Sequence, residues 1–207
     1  SETVSFAKDP EEEYKADVIV IGGGGSGLAS SVSAHQNGAS VLVIEKLGQI
    51  GGSTVFSGGA FNAADQERAK TLEMSELNTE TVMASLEREA HDDYEKQLQD
   101  QVKKDYDEWK NDGSEGMFDS PAFHALQTYN GGDYEGTPEL IDVLTQNALD
   151  TVDWVVDLGA QVDDNLGMAT GALWERSHYG KEDYPNGTYL IDAFNDYIEN
   201  NDNIDIH

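Results

Sequence analysis

The sequence predicts an α/β fold in which a parallel sheet opens the chain and mainly helical segments follow. Two observations carry this. Residues 16–46, "ADVIVIGGGGSGLASSVSAHQNGASVLVIEK", read as strand, glycine turn, helix and second strand. Residues 64–160 then hold long helical patterns with no comparable strand among them. The 207 residues suffice for one core and part of another.

The opening "SETVSFAKDPEEEYK", residues 1–15, lacks the basic start and apolar centre of a signal peptide and reads as a polar linker, or as what is left where an upstream segment was removed. VIVI (Val18–Ile21) is a short continuous apolar run, as expected of a parallel strand covered on both faces. Small and apolar residues at 28–36 suit a helix lying close on a sheet, and Asn37-Gly38 ends it. VLVIE, 41–45, is the second buried strand, and a loop rich in Gly, Ser and Thr covers 48–62. The unit 16–63 is followed by a helical region, 64–160, and by a loop and helix, 161–207.

From 79 to 111 the chain is charged and helical, with apolar residues Val82, Leu86, Ala90, Tyr94, Leu98, Val102 and Tyr106 at every fourth position. That spacing drifts by about 40° per step against a 3.6-residue turn, so the stretch either breaks near His91-Asp92-Asp93 or wraps past different neighbours. Asp112-Gly113 and Glu115-Gly116 end it. Thr137-Pro138-Glu139 starts the next helix, with Thr137 as cap, Pro138 in the first turn and Glu139 against the positive helix end. Leu140, Leu144, Ala148, Val152, Val155 and Leu158 are its expected buried face, and Gly159 its stop. Residues 167–189 are loop-rich, 191–198 suggest a helix, and "NIDIH" begins a strand.

Forty-one acidic residues against twelve basic ones give a net charge of −29, which repels nucleic-acid backbones and anionic membrane surfaces. Without cysteine the chain offers no disulfide, thiolate nucleophile or iron–sulfur ligand. Its apolar runs fall far short of the roughly 20 residues of a membrane helix, so neither nucleic acid nor membrane insertion is expected. The expectation is a soluble protein, cytoplasmic or exported with its signal removed.

The four glycines carry the functional signal. A strand feeding into a helix leaves backbone amides unsatisfied at the helix start, where the dipole adds partial positive charge, and a pyrophosphate suits that spot. Gly22, Gly24 and Gly27 match the G-x-G-x-x-G roles of tight turn, phosphate approach and helix-to-strand packing, with Gly25 and Ser26 between them. Glu45, 18 residues beyond Gly27, ends the second strand where a carboxylate accepts from ribose hydroxyls. A Rossmann-like dinucleotide-binding unit follows. The next segment, "EKLGQIGGSTVFSGGAFNA", chooses between dinucleotides. Lys46, Gly51, Gly52, Ser53, Thr54, Ser57, Gly58 and Gly59 put bare backbone and hydroxyl donors where a longer cofactor, FAD, continues past its pyrophosphate.

Residues 18–63 resemble the flavoprotein of the fumarate reductase and succinate dehydrogenase superfamily, nearest to the soluble flavocytochrome c fumarate reductases and urocanate-reductase-like enzymes. Weaker likeness continues through "GGDYEGTPELIDVLTQNALDTVDWVVDLGAQ" and "MATGALWERSH". The resemblance implies FAD as cofactor, with Ser26 at the pyrophosphate turn, Glu45 on the ribose, Ser53 and Thr54 near pyrophosphate and flavin, and Gly58 and Gly59 beside the isoalloxazine. Ser53 stands where the family often has asparagine. After Arg176-Ser177-His178 the family's Arg-Pro and glycine pair are replaced by "YGKEDYPNG".

The resemblance further implies reduction of the C=C bond of a small α,β-unsaturated carboxylic acid such as fumarate, by hydride transfer from flavin. Electrons would come from an unidentified donor such as a haem or FMN domain. Family members are much longer, and their substrate-gripping and proton-donating arginines and histidines have no match here. The chain is thus expected to be the amino-terminal part of such an enzyme, with the start of a second, capping domain and no catalytic residue of its own. Two alternatives stand beside this: a dehydrogenase of another substrate such as a 3-ketosteroid, and an FAD-binding module inactive alone.

Other residues attract less weight. Arg176 with His178 could hold and protonate a carboxylate, but a structural loop role or a remote flavin contact is preferred. His35, His91, His124 and His207 lack metal-ligand spacing, so no metal is expected. Trp109, Trp154 and Trp174 read as packing residues, and the acids at 92, 93, 105, 107 and 108 as a solvated helix face.

Overall fold

The computed structural model describes residues 13–182 and 186–207. Most of the expected linker, and residues 183–185 of the divergent "YGKEDYPNG" segment, lie outside the described residues.

The apolar runs pair as parallel strands. β1 (Val18–Ile21) lies beside β2 (Val41–Ile44) in the register Val18 to Val41 through Ile21 to Ile44, and β5 (Ile204–Ile206) adds to the other side of β2 with Val41 opposite Ile204. The sheet order is β1-β2-β5. The crossover α1 (Gly25–Gln36) covers one face through Leu28 and Val32, both fully buried, and ends at Asn37 and at Gly38, whose φ is +91°. Its start is earlier than the composition of 28–36 indicated, because the glycines themselves form its first turn.

Coverage of β1 on both faces is not observed. Val18 and Val20 face the core, whereas Ile19 and Ile21 are 53% and 86% exposed. No described element lies over that second face, so the continuous apolar run overstated the burial.

The charged stretch divides as its spacing allowed. α3 (Glu76–Glu87) and α4 (Asp93–Asn111) are separate helices. Asp92 caps α4 by accepting the Glu95 amide and also accepts the Tyr129 hydroxyl, so it belongs to a cap and not to a solvated face. The break resets the helical phase, which lets Val82 on α3 and Leu98, Val102 and Tyr106 on α4 enter one core. α2 (Gln66–Ala69) precedes them, and α5 (Pro121–Gly131) packs on α4. α5 escaped the sequence reading although Ser120 caps it, Pro121 opens it and Gly131-Gly132 closes it.

α6 (Pro138–Asp157) joins two apolar clusters. Ile141 lies in the cluster of α3, α4, α5 and Trp174, while Ala148, Val152 and Val155 lie in that of the parallel sheet, α1 and α7 (Thr188–Glu199). Its buried stripe is Ile141, Thr145, Ala148, Val152 and Val155. The expected Leu140 and Leu144 are 68% and 53% exposed, because packing on α5 selects the row one residue, or about 100°, further round. Thr137 occupies the cap position without a side-chain cap bond; its carbonyl accepts from Leu140 and Ile141 instead. A two-stranded antiparallel ribbon, β3 (Phe61–Asn62) with β4 (Ser177–His178), connects the glycine loop to the segment before α7.

Candidate nucleotide-binding site

The two glycine segments form one structure. At the end of β1, Gly22 turns at φ +105° while its amide still donates to the Ile44 carbonyl at 2.8 Å. The Gly23 amide donates to Glu45 Oε2 at 2.7 Å, and the Gly23 carbonyl accepts the Gly51 amide at 2.7 Å. The Gly25 amide reaches Thr54 Oγ1 at 3.3 Å. The first turn of α1 is therefore flanked by the loop that follows β2.

Each glycine has its own reason. A Cβ on Gly27 would lie 1.9 Å from the Gly22 carbonyl oxygen, so the helix can approach the strand end only without one. A Cβ on Gly24 would meet nothing within 4 Å. Gly24 thus borders open space at the helix start, where the Ser26 and Gly27 amides donate to no acceptor among the described residues. No acidic side chain occupies the first turn of α1, so none of the helix's own residues offsets its positive end.

Glu45 closes the arrangement. Its Oε1 accepts the Leu47 amide at 2.9 Å and its Oε2 the Gly23 amide, and these bonds, that of Leu47 first, hold the carboxyl below the usual glutamate range. An ionised carboxylate retains further lone pairs beyond two amide bonds, available to hydroxyl donors. Lys46 beside it is exposed.

In the second loop Gly51 has φ +104° and Gly52 φ +50°, and Ser53 precedes a 3-10 turn, Thr54–Phe56. Ser57 Oγ donates to the Thr54 carbonyl and accepts the Gly59 amide. Gly58 borders open space, whereas a Cβ on Gly59 would lie 2.4 Å from the Asn186 carbonyl oxygen. The missing side chain of Gly59 is thus required by packing at the start of α7. Tyr189 secures this contact by donating its hydroxyl to the Gly59 carbonyl at 2.8 Å, and burial pushes the phenol up to about 12.

Arg176 and His178 do not act as a pair. Arg176 is buried and donates from Nε and Nη2 to both oxygens of Asp119, at 3.0 and 2.8 Å. His178, fully buried, stands between the Phe61 carbonyl and Asp65 Oδ2, each at 3.2 Å. Burial alone would raise the Asp65 pKa, but hydrogen bonds from His178 and Arg68 outweigh it and hold the carboxyl well below its ordinary value. Trp174 packs edge-on against Phe123 and donates its indole N–H to the Phe118 carbonyl; Trp109 stacks on Tyr106, and Trp154 lies tilted against Phe194. All three are packing residues. Asp65, Asp119, Asn186 and Tyr189 were missed by sequence reasoning, since each acts through a partner far away along the chain.

A sequence profile for the FAD binding domain matches residues 17–118, which contain both glycine loops and Glu45. Residues 17–118 thus match the FAD binding domain family, and the chain is similar to flavoproteins of the fumarate reductase type. FAD is the cofactor of this family, and the fit is physical: free amides at a helix start, open space at Gly24 and an ionised carboxylate at the end of β2. The chain is 32% identical over 213 residues to the NADH:acrylate oxidoreductase of Vibrio harveyi, covering 96% of this chain and 21% of that one. It is 29% identical over 184 residues to a cytochrome-type fumarate reductase of Shewanella frigidimarina, covering 84% and 24%. Among solved structures it matches a flavocytochrome c3 fumarate reductase in an open conformation, with a TM-score of 0.65 at 21% identity over 92% of this chain and 26% of that one. The chain thus spans about a quarter or less of these relatives' lengths. Among the described residues no helix is long and apolar enough to cross a membrane.

Proposed function

We propose that this chain is the FAD-holding portion of an oxidoreductase that reduces the C=C bond of a short α,β-unsaturated carboxylic acid. The observation that carries the reading is its 32% identity, across 96% of its length, to an enzyme named for acrylate. In this reading the Ser26 and Gly27 amides and the bare backbone at Gly24 receive the pyrophosphate. Glu45 accepts from the adenosine ribose. Thr54, whose oxygen already accepts the Gly25 amide, retains its hydroxyl proton for a phosphate oxygen, and Ser53, exposed beside it, adds a second donor. Gly58, with open space around it, leaves room for the isoalloxazine ring.

Bound flavin supplies the hydride chemistry, and the work of this chain is to bind and orient it. The proton donor, most substrate contacts and the electron-delivering domain, bearing haem or FMN, are assigned to sequence outside these residues. The reading is tested with the full-length protein that carries this sequence, loaded with FAD and given a reduced viologen. Oxidation of the viologen on addition of acrylate or fumarate, and none with a 3-ketosteroid, supports it. Turnover of the steroid alone rejects it.

A further inference from the structure

Outside the nucleotide cradle a cavity of about 180 Å3 is lined by Asn62, His124, Gln127, Thr128, Trp174 and Arg176 together with the turn at 171–173. It holds roughly six water-sized groups. Asn62 reaches it from β3, three residues beyond Gly59, so continuous chain joins the cavity to the second glycine loop.

Its polar groups are unevenly matched. His124 is only 6% exposed, and its Nδ1 is the one buried side-chain nitrogen or oxygen among the described residues with no hydrogen-bond partner. Asn62, itself exposed, accepts the Ser177 hydroxyl at 2.6 Å through Oδ1, and its amide N–H groups have no acceptor among the described residues. Arg176 commits Nε and Nη2 to Asp119, and its Nη1 has no acceptor among the described residues. The Gln127 amide has no protein partner among the described residues. By contrast the Trp174 indole N–H is taken by the Phe118 carbonyl and the Thr128 hydroxyl proton by the His124 carbonyl.

The cavity therefore has spare donors, one of them a guanidinium, and no carboxylate in its lining. Burial first and then the positive field of Arg176 push the His124 pKa down to about 4, so positive potential reaches the cavity although Arg176 is paired with Asp119. A planar group with two anionic oxygens matches a guanidinium edge flanked by amide donors.

We infer that this cavity is a subsite for the carboxylate of a short organic acid of about three or four carbons. Arg176, Asn62 and Gln127 donate to it, and His124 supplies the remaining polar contact. This rests on the reading of the chain as part of an unsaturated-acid reductase only for why such an acid is present; binding requires neither flavin nor turnover. It also replaces, for one carboxylate, the expectation that no side chain of this chain grips the substrate. Asp119 acts as a positioning residue by fixing two of the three guanidinium nitrogens.

The test is a titration of 15N-histidine-labelled protein, without FAD, by acrylate and by propionate. Propionamide serves as the uncharged analogue and sodium chloride as the ionic-strength control. The subsite predicts saturable shifts of the His124 ring signals with both acids and none with propionamide or chloride. Gln127→Met, which changes a half-buried side chain and leaves the core intact, should weaken the acids about tenfold without lowering the melting temperature. No saturable shift with the acids, equal affinity for propionamide, an equal response to chloride, or unchanged affinity in Gln127→Met would overturn it. A parallel FAD titration separates the two readings: acid binding without FAD binding sinks only the flavin reading, and the reverse sinks only the subsite.

Discussion

Glu45 and Gly23 meet across 22 residues of sequence, the carboxylate taking the Gly23 amide at 2.7 Å and tying the end of β2 to the turn after β1. The second oxygen is held by Leu47, so the side chain is fixed before any ligand arrives. Such preorganisation lowers the ordering cost of binding.

Replacing Glu45 by glutamine keeps the shape and one acceptor oxygen but removes the charge. FAD affinity, measured by quenching of flavin fluorescence, is expected to fall about tenfold, the difference between a charged and a neutral acceptor. The pH dependence follows in sign. The folded pKa lies below the ordinary 4.5, so the contribution is complete above that value and is lost only as pH falls through the lowered one. Wild-type affinity should therefore hold steady on mild acidification.

Asp119 and Arg176 form a buried bidentate pair, with side chains 2% and 4% exposed. Asp119→Ala leaves the guanidinium uncompensated and should cost about 3–5 kcal/mol in urea unfolding. A double change to apolar residues of similar volume, Asp119→Leu with Arg176→Met, should recover most of that loss. Equal damage by the single and double variants would show that packing, and not the stranded charge, sets the cost.

His124 makes stability depend on mild acid. Its pKa is about 4 in the folded chain against an ordinary 6.5, so the unfolded chain binds the extra proton. Stability is unaffected above 6.5, falls as pH drops through the interval, and levels off below about 4, with a total change of about 3 kcal/mol. His124→Leu should flatten this part of the curve in unfolding measured at a series of pH values. Asp65 adds a separate loss at lower pH, since its carboxyl is held well below the ordinary 3.8.

The βαβ unit was legible because its signals are local. Two apolar runs pair in parallel, Gly27 meets a strand end five residues away, and Asn37-Gly38 stops the helix. The break between α3 and α4 was legible because an every-four spacing cannot stay on one face of a helix. Facing was less legible. Leu140 and Leu144 carry the same hydropathy as buried leucines, and only the position of α5 turns Ile141 inward. Ile19 and Ile21 show the same limit on the sheet, since hydropathy marks a face able to be buried without saying what covers it. In the site, the position of Glu45 at the end of the second strand followed from motif spacing, whereas its bond to the Gly23 amide did not. The contact of Gly59 with Asn186 is set by two segments 127 residues apart, which no local pattern records.

In the proposed cradle Gly24 is bare for a ligand, whereas Gly27 is bare for the fold. The most direct measurement compares Gly24→Ala with Gly27→Ala by thermal unfolding and by FAD titration. Gly24→Ala adds a Cβ that meets no protein atom within 4 Å, so its stability should stay within about 1 kcal/mol of wild type while FAD affinity falls at least about tenfold. Gly27→Ala drives a Cβ to 1.9 Å from the Gly22 carbonyl oxygen and should lose stability outright. A stable Gly24→Ala protein that binds FAD as tightly as wild type would contradict the assignment of this cradle to the cofactor.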